Sequence, residues 1–179
     1  MPTKHLVYVA VFASLIAIGA QIRIPLGPVP LTFQVPLVLL GGLLLGPKLG
    51  ALSAFVYMLM GLFGLPVFAG GGGIGSIFSP TFGFIVGYIP AAWCAGFGCV
   101  HQVTVLRSFS FTFAAIMIIF LSGLFYFIFA MNIFLDTPVN AVEAFKLAVL
   151  PFILKDLAVG MATIIFAKTL VRRGLNIAI

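Results

Sequence analysis

Acidic side chains are nearly missing from this sequence: Asp and Glu together number three among 179 residues, and only 7% of the chain is charged. That scarcity excludes paired-carboxylate catalysis and an acidic metal cluster as the basis of its function. Histidine is equally thin, with only His5 and His101, both expected at helix ends and far in sequence from any acid. No metal or general-base constellation can be assembled from them. The two cysteines, Cys94 and Cys99, fall on one expected helix and point in different directions, so neither a disulfide nor a zinc site is indicated. No hydrophilic stretch is long enough for a soluble domain, and no repeat with a period of about 20 to 50 residues is visible. A phosphate-loop motif is also missing, so ATP chemistry cannot reside in this chain. An enzyme is the least supported class.

What is present is apolar. Hydrophobic residues make up 63% of the chain, too many for the surface of a soluble domain. Uncharged stretches near the length of about 20 residues that a span requires recur along the sequence. Lys4 opens the first of them, and no small-residue cleavage site precedes a soluble segment, so the N-terminus reads as a span rather than a removed signal. Charges, prolines and glycines bound six expected membrane helices, at about 6–22, 31–46, 49–65, 80–100, 109–135 and 152–171. The fold class is all-α, a polytopic membrane protein with residues 1–179 in one compact bundle.

The connections divide by charge. One side collects Lys4, Lys48, Arg107, Lys168, Arg172 and Arg173 with no acid. The other carries Arg23, Lys146 and Lys155 against Asp136, Glu143 and Asp156. Excess Lys and Arg mark the cytoplasmic side, so both termini are expected there. The formal net charge of +6 is thereby a topology signal, and nucleic-acid binding lacks the exposed basic surface it requires.

The opposite, external side holds the unusual connections. IRIPLGPVPLTFQVP carries Pro25, Pro28, Pro30 and Pro36, which keep backbone extended. GLPVFAGGGGIGSIFSPTFGF carries four consecutive glycines, Gly70 to Gly73. Asn140 and Glu143 have capping-box spacing, predicting a short helix over 141–150 that ends at Pro151. Irregular backbone at membrane depth persists only inside protein or along a cavity, so this face is the expected binding face for a small solute.

Individual residues fit that reading. Asp156 lies about one turn inside the last helix, where an ionisable group is a functional candidate by default; its alternative is an interfacial carboxylate favoured by the helix N-terminus and paired with Lys155. Lys155 is its neighbour, leaving the helix about 100° away, so that one side chain faces the cavity while the other snorkels. Gln34 offers a donor and an acceptor from one amide; an ordinary interhelical hydrogen bond is its alternative. Gly70, Gly72 and Gly75 match G-x-G-x-x-G, yet the strand, helix and acid that give that motif its mechanism are missing. Instead the loop sets bare backbone beside Phe68, Phe78, Phe82 and Phe84, the composition of a small-molecule pocket. Small residues Ala10, Ala13, Ala17 and Ala20 on helix 1 allow close helix approach, either to a partner or within the bundle.

Taken in order, PLGPVPLTFQ, GGLLLGPKLGALSAFVYMLMGLFGLPVFAGGGG, SPTFGFIVGY and LPFILKDL resemble the BioY family, the biotin-specific substrate-capture (S) component of energy-coupling factor transporters. The resemblance covers most of residues 10 to 168. It implies a six-helix bundle of the cell membrane whose external loops close over biotin, with no cofactor and no covalent chemistry. It implies two ATPase subunits and a membrane-spanning coupling subunit as partners, the latter docking on Ala10, Ala13 and Ala17. It also places Asp156 and Gln34 on the ligand head group, and lays Gly70 to Gly73, Pro80 and Thr81 over the ligand. The substrate-binding set is thus Gln34, Phe68, Gly71, Gly72, Thr81, Phe84, Lys155 and Asp156. Two features depart from the family's pattern: Lys155 precedes Asp156, and Phe82 and Phe84 stand in the Pro-Thr run. Another vitamin, thiamine or riboflavin, or a self-sufficient small-solute facilitator, remain as alternatives.

Overall fold

The computed structural model describes residues 3–25, 28–100, 104–135 and 137–174. His101 and Asp136 lie outside the described residues. Six helices dominate: α1 (Thr3–Gln21), α2 (Gln34–Leu62), α3 (Phe82–Gly96), α4 (Val105–Ile133), α5 (Ala141–Ala148) and α6 (Leu150–Arg172). Of these, α1, α2, α4 and α6 are long and apolar enough to cross a membrane.

Two expected helices, 31–46 and 49–65, are the arms of α2. Gly46 between them has φ 79° and ψ −179°, and Pro47 follows. A left-handed φ is cheap only for glycine, and the proline cannot donate back to the preceding turn. The chain therefore reverses. Gln34 and Tyr57 would stand about 35 Å apart along a straight helix; instead the Gln34 Nε2 donates to Tyr57 Oη at 2.6 Å. The first arm starts at 34 rather than 31, because Leu31–Thr32 (β2) pairs antiparallel with Arg23–Ile24 (β1). The prolines before it hold that segment extended.

The capping box at Asn140 and Glu143 forms, with reciprocal bonds of 2.9 and 3.2 Å. The short helix stops at Ala148, before the expected 150, and Pro151 sits in the first turn of α6, where its missing N–H costs nothing.

Close backbone approach holds the bundle together. A Cβ on Gly42 would lie 2.5 Å from the Ala92 carbonyl oxygen and 2.9 Å from the Ala95 Cβ, and one on Gly50 would lie 2.8 Å from the Gly42 Cα. One on Gly83 or Gly87 would overlap Tyr126 or Ser122 of α4. Small residues are what allow helices to pack this tightly where lipid offers no hydrophobic driving force.

The core has two parts. A smaller cluster of Val9, Phe12, Leu43, Leu44, Leu49, Ile164 and Ala167 surrounds the α2 reversal, joining the start of α1 to the end of α6. The larger one fills the rest of the bundle around Ile16, Leu39, Tyr57, Ile116, Ile119 and Phe127. Lys4, Lys48, Arg107, Lys168 and Arg172 belong to helix ends at the small-cluster side, while Gln34, Phe82 and Asp156 belong to the opposite end.

Gly42→Val is expected to cost at least about 2 kcal/mol by overpacking α2 against α3. Melting in detergent should show it, against Gly75→Ala, whose added Cβ meets nothing within 4 Å.

Candidate functional site

At the end away from the reversal, the helices splay around a cavity of about 320 Å³. The first arm of α2 contributes Gln34, α3 contributes Phe84 and Tyr88, α4 contributes Phe120, and α6 contributes Phe152, Lys155 and Asp156. The glycine loop roofs it with Phe68, Gly70, Gly72, Gly75 and Ser76. The volume lies at the low end of the range of about 300–1,000 Å³ usual for small-molecule sites.

Local chemistry builds the roof. Phe68 N–H donates to the Gly71 carbonyl at 2.8 Å and Gly71 N–H donates to the Phe68 carbonyl at 3.0 Å, closing a tight turn. Gly71 has φ 118° and Gly73 φ 99°, conformations that side-chain-bearing residues rarely adopt. Gly73 N–H then ties the loop to the Gly61 carbonyl at 2.7 Å. The Phe68 ring, 4% exposed, lies on bare Gly61, edge-on to Tyr57 at 5.5 Å and to Phe82 at 6.5 Å. Among the described residues, nothing accepts from the N–H groups of Gly70 and Gly72.

The walls are polar at two places. Gln34 is buried, its Oε1 accepting from Thr32 Oγ1 at 3.1 Å and, more weakly, from Tyr88 Oη at 3.5 Å. Asp156 is 2% exposed, with its Oδ1 2.7 Å from Lys155 Nζ. Asp156 Oδ1 is inaccessible and has no partner besides this ammonium among the described residues. Lys155 Nζ also donates to the Thr32 carbonyl at 3.4 Å and stands 5.8 Å from the Phe152 ring centroid. Ser79 Oγ and Thr81 Oγ1, 2.8 Å apart, complete the polar lining.

Of the residues expected from sequence, Gln34, Phe68, Gly72, Thr81, Phe84, Lys155 and Asp156 line this one cavity. Gly71 does not; it makes the turn behind the lining. Lys155 and Asp156 do not diverge as adjacent helical positions suggest, because the four-carbon stem of the lysine folds back to its neighbour. On α1, Ala13 is completely buried and Ala17 partly so, whereas Ala10 is exposed. Ala13 shares the inward face with Val9, Phe12, Ile16 and Ala20, so it cannot offer surface to a partner. The outward face instead carries Val7, Ala10, Ser14 and Ile18. Tyr57 and Tyr88 were not anticipated; nothing in an unbroken apolar run distinguishes an inward tyrosine from an interfacial one.

Comparisons agree along the whole chain. The BioY family matches residues 1–175. A probable biotin transporter BioY of Pyrococcus horikoshii is 41% identical over 173 residues, covering 95% of this chain and 98% of the relative. One from Lysinibacillus sphaericus is 36% identical over 170 residues, covering 94% and 87%. The crystal structure of the S-component for biotin from an ECF-type ABC transporter superposes with a TM-score of 0.80 at 26% identity, covering 97% of this chain and 96% of that one.

The glycines of the roof should divide by geometry. Gly72→Ala drives a Cβ into the Leu65 carbonyl and should expose residues 65–75 to limited proteolysis. Gly70→Ala, which meets nothing within 4 Å, should leave the cleavage pattern unchanged.

Proposed function

Since the chain belongs to the BioY family, we propose that it captures biotin for uptake as the substrate-specific component of an ECF-type transporter. The observation that carries the reading is the cavity, in which one buried carboxylate and one buried amide face apolar and aromatic walls. A ureido ring presents two N–H donors and one C=O acceptor. The Asp156 carboxylate suits an N–H, and the second N–H of the Gln34 amide suits the carbonyl. Phe68, Phe84 and Phe152 supply surface for the sulfur-containing ring. The valerate carboxylate is matched by the Gly70 and Gly72 N–H groups, because Lys155 is held beside Asp156 at the ureido end.

Charge and size argue against the alternative vitamins. Among the described residues, the single acid of the lining is paired with its single cation, so they leave no net negative charge for thiamine. The small volume disfavours the wide ring system of riboflavin. The protein performs no covalent chemistry in this reading, and affinity comes from a closed, dry pocket.

In the same reading the chain spans the plasma membrane six times, the two arms of α2 counting as separate passes, with both termini cytoplasmic. The basic end around the α2 reversal faces the cytoplasm, as the positive-inside rule demands. ATP hydrolysis is supplied by two ATPase subunits acting through a membrane-spanning coupling subunit. The coupling subunit meets the outward face of α1, where Ala10 and Ser14 lie one turn apart and the Ser14 hydroxyl is folded onto the Ala10 carbonyl at 2.9 Å.

Purified protein should bind biotin at submillimolar concentration or tighter, and Asp156→Asn should weaken binding at least about tenfold, a loss of about 1.4 kcal/mol. No binding by calorimetry sinks the assignment; unchanged binding in Asp156→Asn removes the carboxylate from the site. Ala10→Leu should leave biotin affinity intact while reducing co-purification with the coupling subunit.

A further inference from the structure

Tyr57 is fully buried and does not line the cavity, yet its side chain touches both the wall and the roof. A phenol has one proton to give. Tyr57 gives it to the Val67 carbonyl at 3.2 Å, at the entry to the glycine loop, so at 2.6 Å from Gln34 it acts as acceptor. That fixes an amide whose two ends are otherwise nearly interchangeable. The Nε2 end faces Tyr57, and the Oε1 end faces the hydroxyls of Thr32 and Tyr88. The ring of the same residue meets Phe68 edge-on at 5.5 Å, and Phe68 covers Gly61, one turn further along the same arm of α2.

We propose that Tyr57 is a positioning residue for capture: one hydroxyl orients the Gln34 amide and pins the glycine loop, so roof closure and wall orientation are the same event. The polar chain extends beyond it. Thr32 donates to Gln34 through its hydroxyl and accepts from Lys155 through its carbonyl, which joins α6, the β1–β2 hairpin, α2 and the loop in one series. Tyr57→Phe keeps the ring contact and nearly all the volume, but leaves a buried N–H and a part-buried C=O without their shared partner. The amide is then free to turn over, and the loop loses its anchor at Val67.

This inference rests on the biotin reading for its kinetic test, and on the ligand-free protein for its structural one. In Tyr57→Phe, biotin should dissociate at least about tenfold faster while association stays within about threefold. Amide hydrogen exchange in the ligand-free variant should rise at residues 66–73 and 31–34 and remain at the parent level in α4 and α6. An unchanged dissociation rate overturns the proposal, as does exchange that rises evenly through the bundle, which marks a residue of the core and nothing more. Should Tyr57→Phe not be recovered from membranes, Gln34→Leu cuts the other side of the bridge. Exchange at 66–73 must then rise although the substitution lies on the other arm; no rise overturns the link. If the parent protein does not bind biotin, the functional reading fails while the exchange measurements still decide whether Tyr57 pins the loop.

Discussion

The ion pair of Lys155 and Asp156 is the interaction on which the binding end depends. An isolated carboxylate inside an apolar bundle is prohibitively expensive, so Asp156 persists there only with a cation beside it. The same ammonium reaches the Thr32 carbonyl, which draws the short β1–β2 hairpin against α6. Thr32 in turn contacts Gln34, the first residue of α2. The ion pair thereby ties to α6 a hairpin that also packs Val29 and Leu31 into the core.

The opposite constraint shapes the rest of the bundle. With so few polar groups, specificity of packing must come from shape, and the glycines supply it. Gly42 admits α3, Gly96 admits the α2 reversal at Pro47, and Gly123 admits the ring of Phe84. Each contact places backbone against backbone or ring, which no larger side chain permits. The cavity remains where this close approach stops: the aromatic residues Phe68, Phe84, Phe120 and Phe152 line its walls and hold the elements apart.

The sequence was legible where punctuation is strong. The capping box at Asn140 and Glu143, the prolines between the first two expected helices and the inward acid Asp156 each report a local necessity that the structure obeys. Facing was not legible. In α1, with apolar residues on every side, hydrophobicity does not say which face turns inward, and so Ala13 and Ala10 could not be told apart. The same blindness hid Tyr57, whose value comes from a contact with Gln34 across a reversal 23 residues long. Gly71 stands behind the lining for another reason: a glycine run marks where the backbone must be free, and only geometry separates the glycines that make the turn from those that line the space.

The reversal at Gly46 also sets how this protein meets its solvent. Residues 34–45 and 47–62 form arms of about 18 and 24 Å, both short of the hydrocarbon thickness of about 30 Å. α4, at 29 residues, is long enough to tilt. The first arm is buried almost throughout, whereas α4 presents Leu121, Phe125 and Phe129 to its surroundings. The reversal thus keeps a segment too short to cross the hydrocarbon inside protein, where hydrophobic mismatch with lipid carries no cost.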